Sequence, residues 1–328
     1  MLSEPSIPVT IIAGFLGAGK TSQLNHILHG QHSKRIAVLV NDFGSINIDA
    51  ELVVDVEEDL ISLANGCICC SIRNDLQLTL VRLARLPNPP EHIVIETSGV
   101  SDPAAVAQVF YDPDLWRVVN LDAIVTLVDA EQTAVLTNDL AQLAETQVKA
   151  ADLLVLNKVD LVDADQLQNA RACLQKIRPG APVFEVTHGC VPLEVLFSPE
   201  ITLPRPKPAN LNPHLHEVNA ENDHDHAHAL VFDTWSYSQA TPLRMAQLQT
   251  VINSLPTSIY RVKGFLYLAD QPASKIVLQM VGRRVAVSDG GAWVDEPQTR
   301  LVFISQHETV NYSAIEIALN RCRIESNV

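Results

Sequence analysis

Gly14-Phe15-Leu16-Gly17-Ala18-Gly19-Lys20-Thr21 sets two glycines, a lysine and a hydroxyl at the spacing G-x-x-x-x-G-K-[ST]. Glycines let the backbone curl until several N–H groups face one anion, and a helix beginning there adds its positive end. Lys20 is placed to reach the β- and γ-phosphates of a nucleoside triphosphate, and the Thr21 hydroxyl suits Mg²⁺. Gly14, Gly17, Ala18, Gly19 and Ser22 complete the expected cradle. A glycine-rich turn with a chance lysine is the plain alternative, and the strand before and helix after the motif argue against it.

A second pattern, Asn157-Lys158-Val159-Asp160, ends a buried apolar run. Asp160 can accept hydrogen bonds from the ring N–H and exocyclic amine of guanine, which adenine does not offer in that arrangement. An unpaired buried carboxylate is costly, so such a site rejects the wrong base. The Lys158 stem is read as lying over the base and Asn157 as bracing the loop. Thr187, after the next strand, is a weaker candidate for framing the base. Paired with the phosphate loop, the pattern favours GTP over ATP.

Hydrolysis needs charge and a held water near the terminal phosphate. Glu96, in Ile95-Glu96-Thr97-Ser98-Gly99, and Asp42, in Asn41-Asp42-Phe43-Gly44, stand at strand ends where they could hold Mg²⁺ or polarise water. With Lys20 they form the expected catalytic set, and with Thr21 the expected magnesium set. Either carboxylate could instead cap the following helix. No arginine suggests itself as an internal arginine finger, so slow intrinsic hydrolysis is expected.

Three thiols crowd into Asn65-Gly66-Cys67-Ile68-Cys69-Cys70. Thiolates are soft ligands for Zn²⁺, Cu⁺ and other late metals, and three ligands with an open fourth place suit transfer better than a closed structural site. A buried or merely reactive cysteine turn is the alternative. Cys173, Cys190 and Cys322 are solitary and read as ordinary core residues. Five of the eleven histidines, His214, His216, His224, His226 and His228, fall in one polar stretch. They are candidates for accessory metal capture, although a solvated linker explains them equally well; His188 is a further candidate, where a lone histidine is more often structural.

The elements that must carry these residues are visible as apolar, β-branched runs: 9–12, 36–40, 93–95, 124–128, 153–156 and 183–186. Continuous rather than alternating apolarity predicts strands covered on both faces, and helix-like stretches such as 22–28 and 75–86 fall between them. The expected fold is α/β, a P-loop, doubly wound, mostly parallel sheet whose ligands sit at the carboxyl ends of the strands. Prolines at 199, 204, 206, 208 and 213 suggest a break. Beyond it, strands near 230–237, 259–268, 275–280, 284–287 and 301–305 and helices near 242–255 and 312–322 predict a smaller α+β module. The expected division is 1–205, a linker at 206–229, and 230–328.

The formal net charge of −15 gives a basic nucleic-acid-binding face or adhesion to an anionic membrane a poor starting case. No apolar run approaches the roughly 20 residues that span a bilayer, and no export signal is read. A reducing cytoplasm suits the cysteine usage.

With these residues in hand, the chain resembles the CobW-like metal-chaperone GTPases, P-loop proteins related to the nickel-delivery factors for urease and hydrogenase. The carriers are Gly14 to Thr21, Asn41 to Gly44, Asn65 to Cys70, Glu96 to Gly99, Asn157 to Asp160, and Phe265 with Leu301 to Ser305. The resemblance implies Mg²⁺-dependent GTP hydrolysis and zinc (or cobalt, nickel or iron) held by Cys67, Cys69 and Cys70 for insertion into a client metalloprotein. Members often carry glutamates flanking the asparagine loop as further proposed ligands; here Val40 and Ser45 stand in those places. A metal-storage or sensing protein that uses GTP only as a ligand, and a P-loop small-molecule kinase, are the alternatives. Monomer and homo-oligomer are both left open.

Overall fold

The structure is a computed structural model, and it describes residues 6–30, 34–41, 60–62, 71–113, 115, 117–134, 139–197 and 232–324. The strands are β1 (Ile7–Gly14), β2 (Ile36–Asn41), β3 (Leu60–Ser62), β4 (His92–Thr97), β5 (Val119–Asp129), β6 (Leu153–Asn157) and β7 (Val183–Val186). They form one sheet in the order β3-β2-β4-β1-β5-β6-β7, every pair parallel. Parallel strands need crossovers, and helices supply them: α1 (Lys20–His29), α2 (Ser71–Ala84), α3 (Pro103–Ala107), α4 (Asp139–Ala150) and α5 (Ala164–Ile177). A short α6 (Leu193–Leu196) follows β7.

Strand pleating divides each run between two cores. In β1, Val9 and Ile11 join Leu76, Leu80 and Leu83 of α2, whereas Ile12 joins Leu24 and Ile27 of α1. Burying a leucine or isoleucine of this kind stabilises by roughly 1.5–3 kcal/mol. Helix α5 starts cleanly because Asp163 and Gln166 form a reciprocal capping box, a motif worth about 1 kcal/mol.

The second unit holds β8 (Phe232–Gln239), β9 (Ile259–Leu266), β10 (Ser274–Val281), β11 (Arg284–Ala292) and β12 (Thr299–Gln306) in the order β11-β10-β9-β12-β8. The pairs are antiparallel, and α7 (Met245–Asn253) and α8 (Tyr312–Asn320) pack on one face around Leu248, Val262, Leu278 and Phe303. Its other face meets the first unit: Tyr260, Val281 and Ile304 enter the same core as Ile12 and Val38. Arg261 and Asp122 form an ion pair with both side chains only 2% exposed, and Arg261 also donates to the Leu196 carbonyl at 2.6 Å. Arg284 reaches Asp152 at 2.6 Å. These contacts lie at the amino end of β5 and β6.

The expected α/β sheet with a smaller α+β unit is therefore the architecture, with differences in detail. β3 carries no signal strong enough to predict it. Helix α1 begins at Lys20 rather than at 22, directly after Gly19, whose φ of 100° is left-handed. Helix α7 begins three residues later than expected. Leu243 is bridged to Leu268 and Arg323, which holds the segment before the helix extended. No helix among the described residues is long and apolar enough to cross a membrane.

Candidate functional site

Because all seven strands run the same way, their carboxyl ends share one edge of the sheet. Register places Ile12 beside Glu96, Gly14 beside Leu127, Asp129 beside Asn157, and Asn157 beside Val186. The described segments at Gly14, Glu96, Asp129, Asn157 and Val186 thus leave the sheet together, as ligand-binding loops of open α/β sheets do.

Gly14 leaves β1 with φ 142°, and a Cβ there would stand 2.3 Å from the Leu127 carbonyl oxygen, so only glycine lets the loop start. Gly19 has φ 100°, and its added Cβ would stand 2.3 Å from Asn157 Nδ2. Between them the loop closes with Ala18 N–H donating to the Phe15 carbonyl at 3.1 Å. Lys20 is buried and its Nζ donates to the Phe15 carbonyl at 3.4 Å, folding the ammonium over the loop. Thr21 Oγ1 donates to Glu96 Oε1 at 3.4 Å, which joins the phosphate loop to the end of β4. Ser22 follows on the first turn of α1.

Asn157 is 1% exposed and uses both ends of its amide. Nδ2 donates to the Ala18 carbonyl at 2.9 Å, and Oδ1 accepts from Gly189 N–H at 2.9 Å. One side chain therefore links the phosphate loop, β6 and the turn after β7. Lys158 adopts a left-handed φ of 61°, and its Nζ meets Asp129 Oδ2 at 2.6 Å. Asp160 is exposed and Thr187 half-buried, both on the loops that leave this edge. Asp129 was not picked out from sequence; it ends a buried strand at this same edge, which is the signal that marks Glu96. Its second oxygen accepts from Glu131 N–H at 3.0 Å. Gln23, also unforeseen, is fully buried on α1 and accepts from Val191 N–H at 3.2 Å, tying the helix to the same turn.

The oxygens of Thr21 and Glu96, neighbours at the lip of the phosphate loop, are hard donors of the kind Mg²⁺ prefers. The curled loop, with Gly14, Gly17 and Gly19 all at positive φ and a Cβ excluded at Gly14 and Gly19, fits a phosphate chain. Asp42, Cys67, Cys69, Cys70, Ser45, and His214, His216, His224, His226 and His228 lie outside the described residues, as does the expected linker. Val40 is buried in β2. His188 is exposed with φ 54°, and no cluster of three metal-ligating side chains occurs among the described residues. Burial pushes the thiols of Cys190 and Cys322 up, away from the thiolate form that metals bind.

Residues 8–185 match the model of the CobW/HypB/UreG nucleotide-binding domain, and residues 232–323 match that of the cobalamin synthesis protein cobW C-terminal domain. A protein of Sinorhizobium sp named zinc chaperone CobW is 31% identical over 97% of this chain and 97% of its own. Zinc chaperone YjiA of Escherichia coli (strain K12) is 32% identical over 91% of this chain and 93% of its own. The crystal structure of Zn(II)-bound YjiA GTPase from E. coli aligns at 27% identity over 98% of this chain and 100% of that one, with a TM-score of 0.47. The chain, matched across both of its units, belongs to the CobW/HypB/UreG family.

Proposed function

We propose that this protein is a GTPase that couples its nucleotide state to the binding and release of a divalent metal ion, zinc foremost, and delivers that ion to a client protein. The observation that carries the reading is the convergence at one sheet edge of the Gly14–Thr21 loop, Glu96 and the Asn157 bridge to Ala18. Membership of the family and the names of two relatives as zinc chaperones support the metal half.

In this reading Lys20 and the loop N–H groups bind the triphosphate, and Asp160 and Lys158 read guanine from the neighbouring loop. Thr21 and Glu96, with Asp42, would hold Mg²⁺, which when bound neutralises charge on the phosphate oxygens. Glu96 is buried against the phosphate loop, where a carboxylate can orient water. Cys67, Cys69 and Cys70 hold the cargo ion as thiolates. They lie in sequence between the Asn41 and Glu96 segments, both of which should respond to the terminal phosphate in this reading. A loop that follows the phosphate changes metal affinity, and by linkage the metal changes GTP affinity equally. The client is another metalloprotein, and the cytoplasm is the expected compartment.

The test is metal affinity with and without a non-hydrolysable GTP analogue, in the wild type and in a variant with all three cysteines changed to serine. Coupling predicts a shift of about 5- to 150-fold, or about 1–3 kcal/mol, in the wild type alone. Metal affinity that ignores the analogue overturns the proposal. Stoichiometric GTP binding without turnover replaces it with a storage or sensing protein.

A further inference from the structure

The turn that follows Glu96 is held from two sides. On one side Gly99 lies against the phosphate loop so closely that a Cβ would stand 2.8 Å from Leu16 N. On the other side stands Gln147, a residue of α4 that is 1% exposed. Its Nε2 donates to the Gly99 carbonyl at 3.1 Å and to the Ser101 carbonyl at 2.9 Å. Ser101 N–H closes the turn onto the Ser98 carbonyl at 3.0 Å. The backbone of Gln147 is fixed in turn, since its carbonyl accepts from Thr126 Oγ1 at 3.1 Å. Thr126 is buried in β5 and sits beside Ala13 of β1, one residue before the phosphate loop.

The chemistry of this clamp calls for an amide. Two buried carbonyls need two hydrogens from one planar group, which glutamine supplies without adding charge. Asparagine is one methylene shorter, ionised glutamate has only acceptors, and lysine or arginine would bury a cation. Gln147, with Phe15, Ala18, Thr126, Asp129 and Ala144, lines a pocket of about 30 Å³.

We infer that Gln147 is a positioning residue for GTP hydrolysis: it fixes the Gly99 peptide against the phosphate loop and so governs the chemical step more than nucleotide capture. The inference rests on the GTPase reading. In that reading Gly99, which follows Glu96 and packs on Leu16 of the phosphate loop, lies on the segment facing the terminal phosphate, and misplacing it by a fraction of an ångström weakens transition-state contacts that the ground state does not use.

The experiment uses the full chain, with Gln147→Leu and Gln147→Glu compared with wild type. For Q147L, kcat for GTP should fall about tenfold or more while KM stays within about threefold. Hydrogen–deuterium exchange at residues 98–102 of the nucleotide-free protein should quicken by about tenfold. For Q147E, activity relative to wild type should rise as pH falls from about 8 to 6, because a protonated carboxyl regains one donor. A Q147L kcat within about twofold of wild type, or a Q147E-to-wild-type ratio that is flat with pH, overturns the inference. If Q147L does not fold, the Q147E pH profile and exchange data decide. Absence of GTP turnover in the wild type would remove the GTPase reading, whereas equal exchange at 98–102 in wild type and variants would remove the clamp itself.

Discussion

Asn157 bridges to Ala18 through a 2.9 Å hydrogen bond from its side-chain amide to the loop carbonyl, so the Asn157–Asp160 motif physically supports the Gly14–Thr21 loop. The same amide receives Gly189 N–H, also at 2.9 Å, so nothing at this junction moves alone. Asn157→Ala leaves a buried donor and a buried acceptor without partners. We expect a loss of about 2 kcal/mol in urea unfolding and at least about tenfold weaker binding of a fluorescent GTP analogue. Unchanged affinity would mean that the bridge is incidental to the nucleotide site.

Gly14→Ala tests the start of the loop. The added methyl would lie 2.3 Å from the Leu127 carbonyl, backbone that cannot turn aside, at a φ of 142° that alanine avoids. A drop of about 3 kcal/mol in stability, with loss of nucleotide binding, is expected. Calorimetric melting with and without GDP measures both.

Asp129→Asn keeps an acceptor for Glu131 N–H but weakens the pair with Lys158. The lysine stem then loses its anchor while the fold remains. KM for GTP should rise about fivefold, or about 1 kcal/mol, and discrimination against ATP should fall. A KM identical to wild type would show that Lys158 holds its place without the carboxylate.

His92 titrates far below its ordinary range, at about 3, because burial disfavours its charged form and outweighs the attraction of Asp122. Its ring instead shares a 2.8 Å hydrogen bond with Thr10. The folded-state pKa is the depressed one, so protons favour the unfolded chain. The stability contribution is complete above an unfolded pKa near 6.5 and is lost as pH falls toward about 3. Within that window each pH unit costs up to about 1.4 kcal/mol. Urea midpoints at about pH 7 and pH 5 should differ less in His92→Gln than in wild type; equal differences would assign the acid sensitivity elsewhere.

Burial alone would raise the Asp122 carboxyl, but Arg261 beside it holds it below the usual carboxylate range. Arg261→Met strands that charge and should cost about 3–5 kcal/mol, whereas adding Asp122→Leu should restore much of the loss. Additive single and double variants in chemical denaturation would contradict such pairing.

The sequence carried most of this architecture because parallel strands buried on both faces leave continuous apolar runs, as in Ile7–Gly14 and Leu153–Asn157. The phosphate loop was legible for a similar reason: Gly14 and Gly19 occupy positions where any side chain would collide. Asp129 carried a strand-end signal that was passed over, whereas Gln147 and Arg261 were not legible. Their partners are 48 and 139 residues away respectively, so no local spacing records the contact. The three-residue strand Leu60–Ser62 is too short to show a period. The start of α7 was displaced by Leu243, whose neighbours are Leu268 and Arg323 rather than its own helix.

The Arg261–Asp122 pair has one more consequence. A carboxylate sealed under the second unit makes that unit hard to exchange for another during gene rearrangement. Any replacement module would have to bring a cation to the same spot, or the recipient would first have to give up its acid. The two halves of this chain are thus bound to a shared history by two points of charge, since Arg284 also meets buried Asp152 at this seam.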